Sequence, residues 1–488
     1  MHPQNPTPMF DLKSKFDPTP DQSKAISQLL TGLDSYKEQT LKGITGSGKT
    51  FVLANVISQS NAPSIVLAPN KVLAYQLYKE LLEFFPNNFI GYYVSNYDVY
   101  IPAYYNHTLN DKVEAKVQIN MGNKILRTTV RDFLESSDKA ILVCSSTILF
   151  PTFKEDLYDL LDQHKGYIIR RLHEERGIQV KAFKDQGKIE EANKLDSNLD
   201  HTISSFINPN DDYVNANIIS LLKEKTGSFY LTSYFEKVKP NLYIDESHLS
   251  LLQLKAMPSA NAKRLKTLIE KGYYLSNVWD DSILNTQDLK DRVNNILYVS
   301  ATPSDYEINH SNQVVELLTR PNGIVDPKLT IKSQDYFGSQ KMLGDIKNTI
   351  SKGETVFINC ISRRQVLAIH ELLNFHNIES EYIHFKVKQD ERKQILENLR
   401  NGEIQVIIGI NMLREGIDVK QCSLVIVEQA SRNNFLRTKS CLIQIAGRAA
   451  RNVNGKVFMC CDHISSSLQE TIEEIDHRRE VQLSYLGS

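Results

Sequence analysis

Gly43-Ile44-Thr45-Gly46-Ser47-Gly48-Lys49-Thr50 reads as a complete phosphate-binding loop, matching G-x-x-x-x-G-K-[ST] at every fixed position. Apolar residues follow it at helical spacing, Val52, Leu53, Val56 and Ile57. The loop is therefore expected to open a helix whose first N–H groups point at the phosphates of a bound nucleotide. Gly43, Gly46 and Gly48 let the backbone come close, and Thr45 and Ser47 complete the cradle. Lys49 is expected to reach the β- and γ-phosphates, and Thr50 to ligate Mg²⁺. Residues 42–44 are expected to end the strand that feeds the loop.

Outward from this loop, apolar runs alternate with helical patterns. Residues 64–70, 140–145, 241–248 and 295–300 read as buried strands, and 71–85 as a helix stopped by Pro86. A second set begins near residue 330, with strands at 355–359, 381–384, 406–409, 424–428 and 456–460 and helices at 363–375 and 388–401. This alternation predicts parallel α/β sheets in two similar halves, of which only the first carries a phosphate loop. Two stretches break the rhythm. Residues 96–120 are rich in tyrosine and loosely alternating, and 158–207 are long, highly charged helical patterns. The latter are too polar for the inner core of a sheet domain and are read as a helical insertion with solvated faces. No repeat at a solenoid period is present.

Downstream residues complete a nucleotide-hydrolysing set. Asp245-Glu246-Ser247-His248 follows an apolar strand. Asp245 there is expected to hold Mg²⁺ through water, and Glu246 to orient the attacking water. Ser300-Ala301-Thr302-Pro303 also ends a buried strand and is expected to relay the nucleotide state. In the second half, 409–418 ends in Arg414-Glu415-Gly416-Ile417-Asp418, with Gly416 and Asp418 candidates for the nucleotide. Gln444-Ile445-Ala446-Gly447-Arg448-Ala449-Ala450-Arg451 puts Arg448 and Arg451 on one helix face. Two arginines so placed are natural arginine fingers for phosphoryl transfer. Both halves are expected to close on ATP and part after hydrolysis, a two-state motion able to move a polymer.

The chain has 488 residues, 41% hydrophobic and 24% charged, with a net charge of −1. That is ordinary globular composition, and it excludes a generally polycationic binder while leaving room for a local basic groove. The six cysteines at 144, 360, 422, 441, 460 and 461 form no C-x-x-C pair and read as reduced thiols. The first twenty residues hold prolines at 3, 6, 8, 18 and 20 and no apolar core of a secretory signal. The longest apolar stretch, near 141–150, is too short to span a membrane, so a cytoplasmic location is expected.

The forms G-I-T-G-S-G-K-T, A-P-N-K-V-L-A-Y-Q-L-Y, Y-I-D-E-S-H, Y-V-S-A-T-P, R-P-N-G-I-V-D-P, G-I-N-M-L-R-E-G-I-D and G-R-A-A-R-N resemble the motifs of superfamily 2 helicases, and closely those of the UvrB family. They run from about residue 15 to about 480. The resemblance implies two tandem RecA-like motor domains: 1–95, 121–157 and 240–328 in the first, and 329–465 in the second. A β-hairpin for DNA strand insertion is implied at 96–120, a helical insertion at 158–239 and a C-terminal helix at 466–488. It further implies an adenine contact, with Gln22 reading the base edge and Phe16 stacking on it. Hairpin contacts to DNA are implied for Tyr97, Tyr100, Tyr105 and Lys112, where rings can stack on bases of any sequence. Asn96, Val99 and Lys112 stand where the family pattern leads one to expect aromatics.

Two modules of the family are expected to be missing, the UvrA-docking domain after residue 153 and the C-terminal UVR helical hairpin. The expected function is an ATP-dependent DNA motor with limited strand-separating activity, using ATP and Mg²⁺, with single-stranded or junction DNA and a nuclease or other repair or defence protein as partners. An ATP-gated DNA clamp or scaffold for a partner nuclease is the alternative. Stacking residues alone do not choose DNA over RNA.

Overall fold

The computed structural model describes residues 10–93, 140–149, 151–152, 157–208, 215–227, 229–235, 238–280, 284–384, 386–410 and 422–487. The chain divides into two compact units. One comprises residues 1–15, 35–38 and 56–298, the other 16–34, 39–55 and 299–488. The expected DNA hairpin at 96–120 lies outside the described residues.

The first sheet uses β1 (Glu38–Gly43), β2 (Ser64–Leu67), β3 (Ile90–Tyr92), β4 (Ile141–Cys144), β7 (Asn241–Asp245), β8 (Ile296–Ser300) and β9 (Gln313–Leu317), in the order β3-β4-β2-β7-β8-β1-β9. The pairs β2/β4, β2/β7, β3/β4 and β1/β9 run parallel. The short strands β5 (Pro151–Thr152) and β6 (Phe229–Tyr230) form a separate antiparallel pair. The second sheet joins β10 (Lys328–Lys332), β11 (Thr355–Asn359), β12 (Glu381–Ile383), β13 (Val406–Gly409), β14 (Cys422–Val427) and β15 (Lys456–Cys460), in the order β10-β15-β14-β11-β13-β12. All its ladders are parallel.

Strands β2, β4, β8, β11, β13 and β14 are buried along their whole length. A strand covered on both faces shows no alternation, which is why each is a largely apolar run instead of an alternating one. Helices cover both faces of the second sheet. On one side Met342, Leu343, Val366, Ile369 and Leu373 pack on Val356, Ile358 and Ile426. On the other, Leu442, Ile445, Leu468 and Ile475 pack on Phe357, Val425 and Val457. The helix Arg363–Phe375 starts where Ser362 Oγ accepts the Gln365 N–H at 3.3 Å, and Lys71–Phe84 where Asn70 Oδ1 accepts the Leu73 N–H at 3.0 Å. Both are ordinary side-chain N-caps.

The charged segment folds as the helices Leu157–Asp185, Ile189–Ile207 and Ala216–Thr226. It has a core of its own, built from Ile168, Leu172, Leu195, Leu199, Ile218, Leu222 and Leu275. The sequence reading gave its charges to solvent. Some of them instead tie helix to helix: Arg176 bonds Asp196 at 2.7 Å and also Asp200, and Arg171, paired within its own helix with Glu175 at 2.7 Å, reaches Glu224 of the third helix at 3.3 Å.

The cysteines are all free, and five of the six are buried. Among the described residues no helix is long and apolar enough to cross a membrane.

Gly272 sets the approach of the segment after Ser247–Glu270 to the insertion. Its φ is +72°, and a Cβ there would lie 2.3 Å from the Glu191 carbonyl oxygen. Both the left-handed backbone and the backbone neighbour oppose any side chain. Gly272→Ala is expected to cost about 2 kcal/mol of stability, measured by denaturant unfolding. A variant as stable as the parent would show that the insertion is not held at this point.

Candidate nucleotide site

Strand β1 delivers the loop. Its last residue, Gly43, pairs with Leu317 of β9, and the Ile44 N–H continues the ladder to the Leu317 carbonyl at 3.1 Å. Gly46 and Gly48 have φ of +81° and +82°, conformations that L side chains rarely adopt. At Gly43 a Cβ would meet Lys49 Cγ at 2.7 Å, and at Gly48 it would meet Gln22 Nε2 at 2.6 Å. Each of these three glycines is thus required by the turn itself. The Ser47 hydroxyl donates to the Ile44 carbonyl at 2.8 Å, and Lys49 Nζ to the same oxygen at 3.3 Å. The helix Lys49–Gln59 then begins, with Thr50 in its first turn.

Gln22 lies on the helix Pro20–Ser35 and is only 3% exposed. Its Nε2 donates to the Ser47 carbonyl at 2.9 Å, and its Oε1 accepts the Thr19 N–H at 3.0 Å. A primary amide has two donors and two acceptor sites, and these two bonds use one of each. Phe16 is 78% exposed, in the segment leading to this helix.

The same unit brings the G-R-A-A-R segment to the loop. A Cβ at Gly447 would lie 3.2 Å from Thr45 Oγ1, a tight contact that places the G-R-A-A-R segment directly against the loop. Gln444 Nε2 donates to Thr302 Oγ1 at 3.0 Å, joining the S-A-T-P turn to that helix. Arg448 and Arg451, expected on one helix face, instead lie beyond the α-helix Lys439–Ala446, which ends before them. Arg448 caps the 3₁₀ turn Ala449–Arg451, and both arginines are half-buried. A 3₁₀ turn brings residues three apart into eclipse, so the shared direction survives the change of helix type.

Asp245 and Glu246 belong to the other unit. Asp245 ends β7, and its carbonyl accepts the Ser250 hydroxyl at 2.8 Å. Glu246 caps the helix Ser247–Glu270 in a left-handed conformation, with φ of 42° and ψ of 49°. Its Oε2 lies 3.6 Å from Nδ1 of the buried His248. A non-glycine residue held this way costs about 1–3 kcal/mol, and such strain is commonest at functional positions. Gly416, Asp418, Tyr97, Tyr100, Tyr105 and Lys112 lie outside the described residues.

Sequence reading passed over two buried arginines. Arg437 donates through all three of its nitrogens to the carbonyls of Glu428, Asn359 and Leu436 and to the Asn359 side-chain oxygen, fixing the segment after β14. Burial pushes its pKa down to about 10. Arg320 contacts the phosphate loop directly: its Nε donates to the Thr45 carbonyl at 2.8 Å. Neither stands in a motif whose chemistry is obvious, and an arginine in a short loop reads as solvated. The only sequence signal was that Arg320 opens the R-P-N-G-I-V-D-P form.

Comparison with known proteins gives this arrangement its relatives. The family described as type III restriction enzyme, res subunit, matches residues 15–170, and the helicase conserved C-terminal domain matches residues 340–453. The UvrABC system protein B of Thermotoga neapolitana is 31% identical over 578 residues, covering 98% of this chain and 86% of that protein. The chain belongs to the UvrB family. A second relative, the UvrABC system protein B of Pseudothermotoga lettingae, is 29% identical and covers 98% of this chain and 87% of its own length. Its aligned span of 574 residues exceeds the 488 of this chain. The relative therefore carries residues inside the matched region that have no counterpart here.

Among solved structures, RecG bound to a three-way DNA junction matches with a TM-score of 0.49 and 12% identity, over 95% of this chain and 47% of that one. S. cerevisiae Dbp5 bound to RNA and ADP BeF3 matches with a TM-score of 0.47 and 13% identity, over 95% and 88%. As a member of the UvrB family, with both helicase domains present, the protein is an ATP-hydrolysing enzyme of the helicase class.

The backbone of Glu246 can be tested apart from its carboxylate. Glu246→Gly and Glu246→Ala both delete the acid, but only glycine relieves the positive φ. The glycine variant is expected to be more stable than the alanine variant by about 1 kcal/mol, measured by thermal or urea unfolding, while neither hydrolyses ATP at the parent rate. Equal stabilities would remove the case for strain.

Proposed function

We propose that the protein is an ATP-driven DNA-binding motor of UvrB type, with limited strand separation, working in DNA repair in the bacterial cytoplasm. The observation that carries this reading is the approach of Gly447 to Thr45, which sets the arginine-bearing turn against the phosphate loop.

The donor set fits ATP and Mg²⁺. A loop with two glycines at positive φ, opening a helix, is a cradle for phosphate oxygens. Mg²⁺ keeps several waters and binds through one or two protein oxygens together with substrate phosphates, which suits the Thr50 hydroxyl and the Asp245 carboxylate. When bound, the ion neutralises charge developing on the phosphates.

The protein's own groups would then act as follows. Lys49 binds the β- and γ-phosphates, and the loop N–H groups of Gly46, Ser47 and Gly48 orient them. Glu246 holds the attacking water and accepts its proton. Arg448 and Arg451 stabilise the charge that builds in the transition state. Gln22 and Phe16 take the adenine, and Gly416 and Asp418 complete the nucleotide contacts. DNA contacts are assigned to Tyr97, Tyr100, Tyr105 and Lys112, and the partner to a nuclease or other repair protein.

The test is ATP hydrolysis by the purified chain, alone and with single-stranded, duplex and bubble DNA. Lys49→Ala is expected to lower kcat by about 100-fold or more, and Arg451→Ala by about 1,000-fold. Unchanged DNA-stimulated turnover in Lys49→Ala would overturn the assignment. Matched DNA and RNA strands in competition are expected to favour DNA; preference for RNA would redirect the reading to an RNA helicase.

A further inference from the structure

The C-terminal helix Ser466–Gly487 carries a stripe of polar side chains on its buried side. Glu474, Arg478 and Gln482 are spaced four apart, so they share one face. Arg478 and Gln482 are buried, and the Glu474 side chain is 14% exposed. Each reaches a different part of the nucleotide site. Glu474 pairs with Lys42 of β1 at 3.1 Å and with Lys439, at the start of the helix that leads to the arginine-bearing turn, at 3.6 Å. Arg478 donates to the Ala301 carbonyl of the S-A-T-P turn at 3.0 Å and pairs with Glu474 at 3.0 Å. Gln482 accepts the Asp326 N–H at 2.7 Å and donates to the Leu318 carbonyl at 2.9 Å.

Asp326 passes the contact on. Its carboxylate pairs with Arg320, its other carboxylate oxygen takes Gln482 Nε2 at 3.3 Å, and its carbonyl accepts from Arg479. Arg320 in turn donates to the Ile324 carbonyl at 2.8 Å and to the Thr45 carbonyl at 2.8 Å. In a trans peptide the C=O and N–H point in opposite directions. Holding the Thr45 carbonyl therefore aims the Gly46 N–H away from Arg320.

We propose that Arg320 is a positioning residue for ATP hydrolysis, fixing the Thr45–Gly46 peptide of the phosphate loop, and that the C-terminal helix is the strap that holds Arg320 in place through Gln482 and Asp326. The inference rests on the phosphate loop being the nucleotide site. Buried polar groups admit few alternative arrangements, because each lost partner leaves another group unsatisfied. Burial alone would push the Glu474 carboxyl up, but Arg478 and Lys42 outweigh it and hold its pKa down to about 2, so that anchor of the strap stays charged. Lysine cannot replace Arg320. A single ammonium lacks the fork that serves Thr45, Ile324 and Asp326 together.

The experiment is steady-state ATP hydrolysis by the full chain, well below its unfolding temperature, for the parent, Arg320→Lys, Gln482→Met and the double variant. Arg320→Lys is expected to lower kcat about tenfold and Gln482→Met about threefold, with KM for ATP moving less than kcat. The double variant is expected to match Arg320→Lys, because both changes act along one chain of contacts. Unchanged kcat in folded Gln482→Met, or effects that multiply in the double variant, would overturn the strap. Should Arg320→Lys fail to fold, Gln482→Met and Gln482→Leu carry the test alone: kcat lowered at constant helix content supports the strap, and a lowered unfolding temperature with parental kcat refutes it. A parent chain without ATPase activity would instead defeat the functional reading.

Discussion

A buried guanidinium has five donors to place and no way to shed its charge. Arg320 places them on the Thr45 carbonyl, the Ile324 carbonyl and Asp326. That one side chain ties the phosphate loop to the turn after β9, and Asp326 ties the turn to the C-terminal helix through Gln482. None of these groups can move alone without leaving another without its partner, at about 1–3 kcal/mol for each one that is buried. The nucleotide-binding unit is in this sense organised around a polar network, while its two apolar clusters set only where the helices lie.

Much of the scaffold was legible in the sequence. Strands such as Thr355–Asn359, Val406–Gly409 and Lys456–Cys460 and the helix Arg363–Phe375 fall where the apolar runs and the helical pattern put them. Buried parallel strands and capped helices leave strong local signals. The edge strands β9 and β10 did not, because Gln313-Val314-Val315-Glu316-Leu317 and Lys328-Leu329-Thr330-Ile331-Lys332 are short and half exposed. The polar stripe Glu474, Arg478 and Gln482 was illegible for a different reason. Helical periodicity assigns charged positions to water, and only tertiary contacts reverse that assignment. The early end of the helix at Ala446 was hidden in the same way, since Gly447 is needed there for its closeness to Thr45 and not as a turn signal.

The residues assigned to chemistry coincide with breaches of local preference. Gly46 and Gly48 take positive φ, Glu246 takes it without being glycine, and Gly447 lies tight against Thr45. A sequence that elsewhere agrees with its local structure departs from it at these points, as expected where backbone is shaped for a ligand instead of for stability. The insertion Leu157–Asp185, Ile189–Ile207 and Ala216–Thr226 contrasts with this. Its own apolar core and cross-helix ion pairs make it locally consistent throughout.

The thiols described above give the molecule an internal reporter of its own opening. Cys144, Cys360, Cys422 and Cys460 sit in or beside the parallel strands with burial pushing every one of their pKa values up, to about 12 for Cys422 and Cys460. Such thiols carry almost no thiolate at neutral pH and are shielded from alkylating reagents, so they react only when strands part. With the half-exposed Cys441 silenced, the labelling rate of Cys144 follows excursions of one unit and that of Cys360, Cys422, Cys460 and Cys461 follows excursions of the other, without a single added probe.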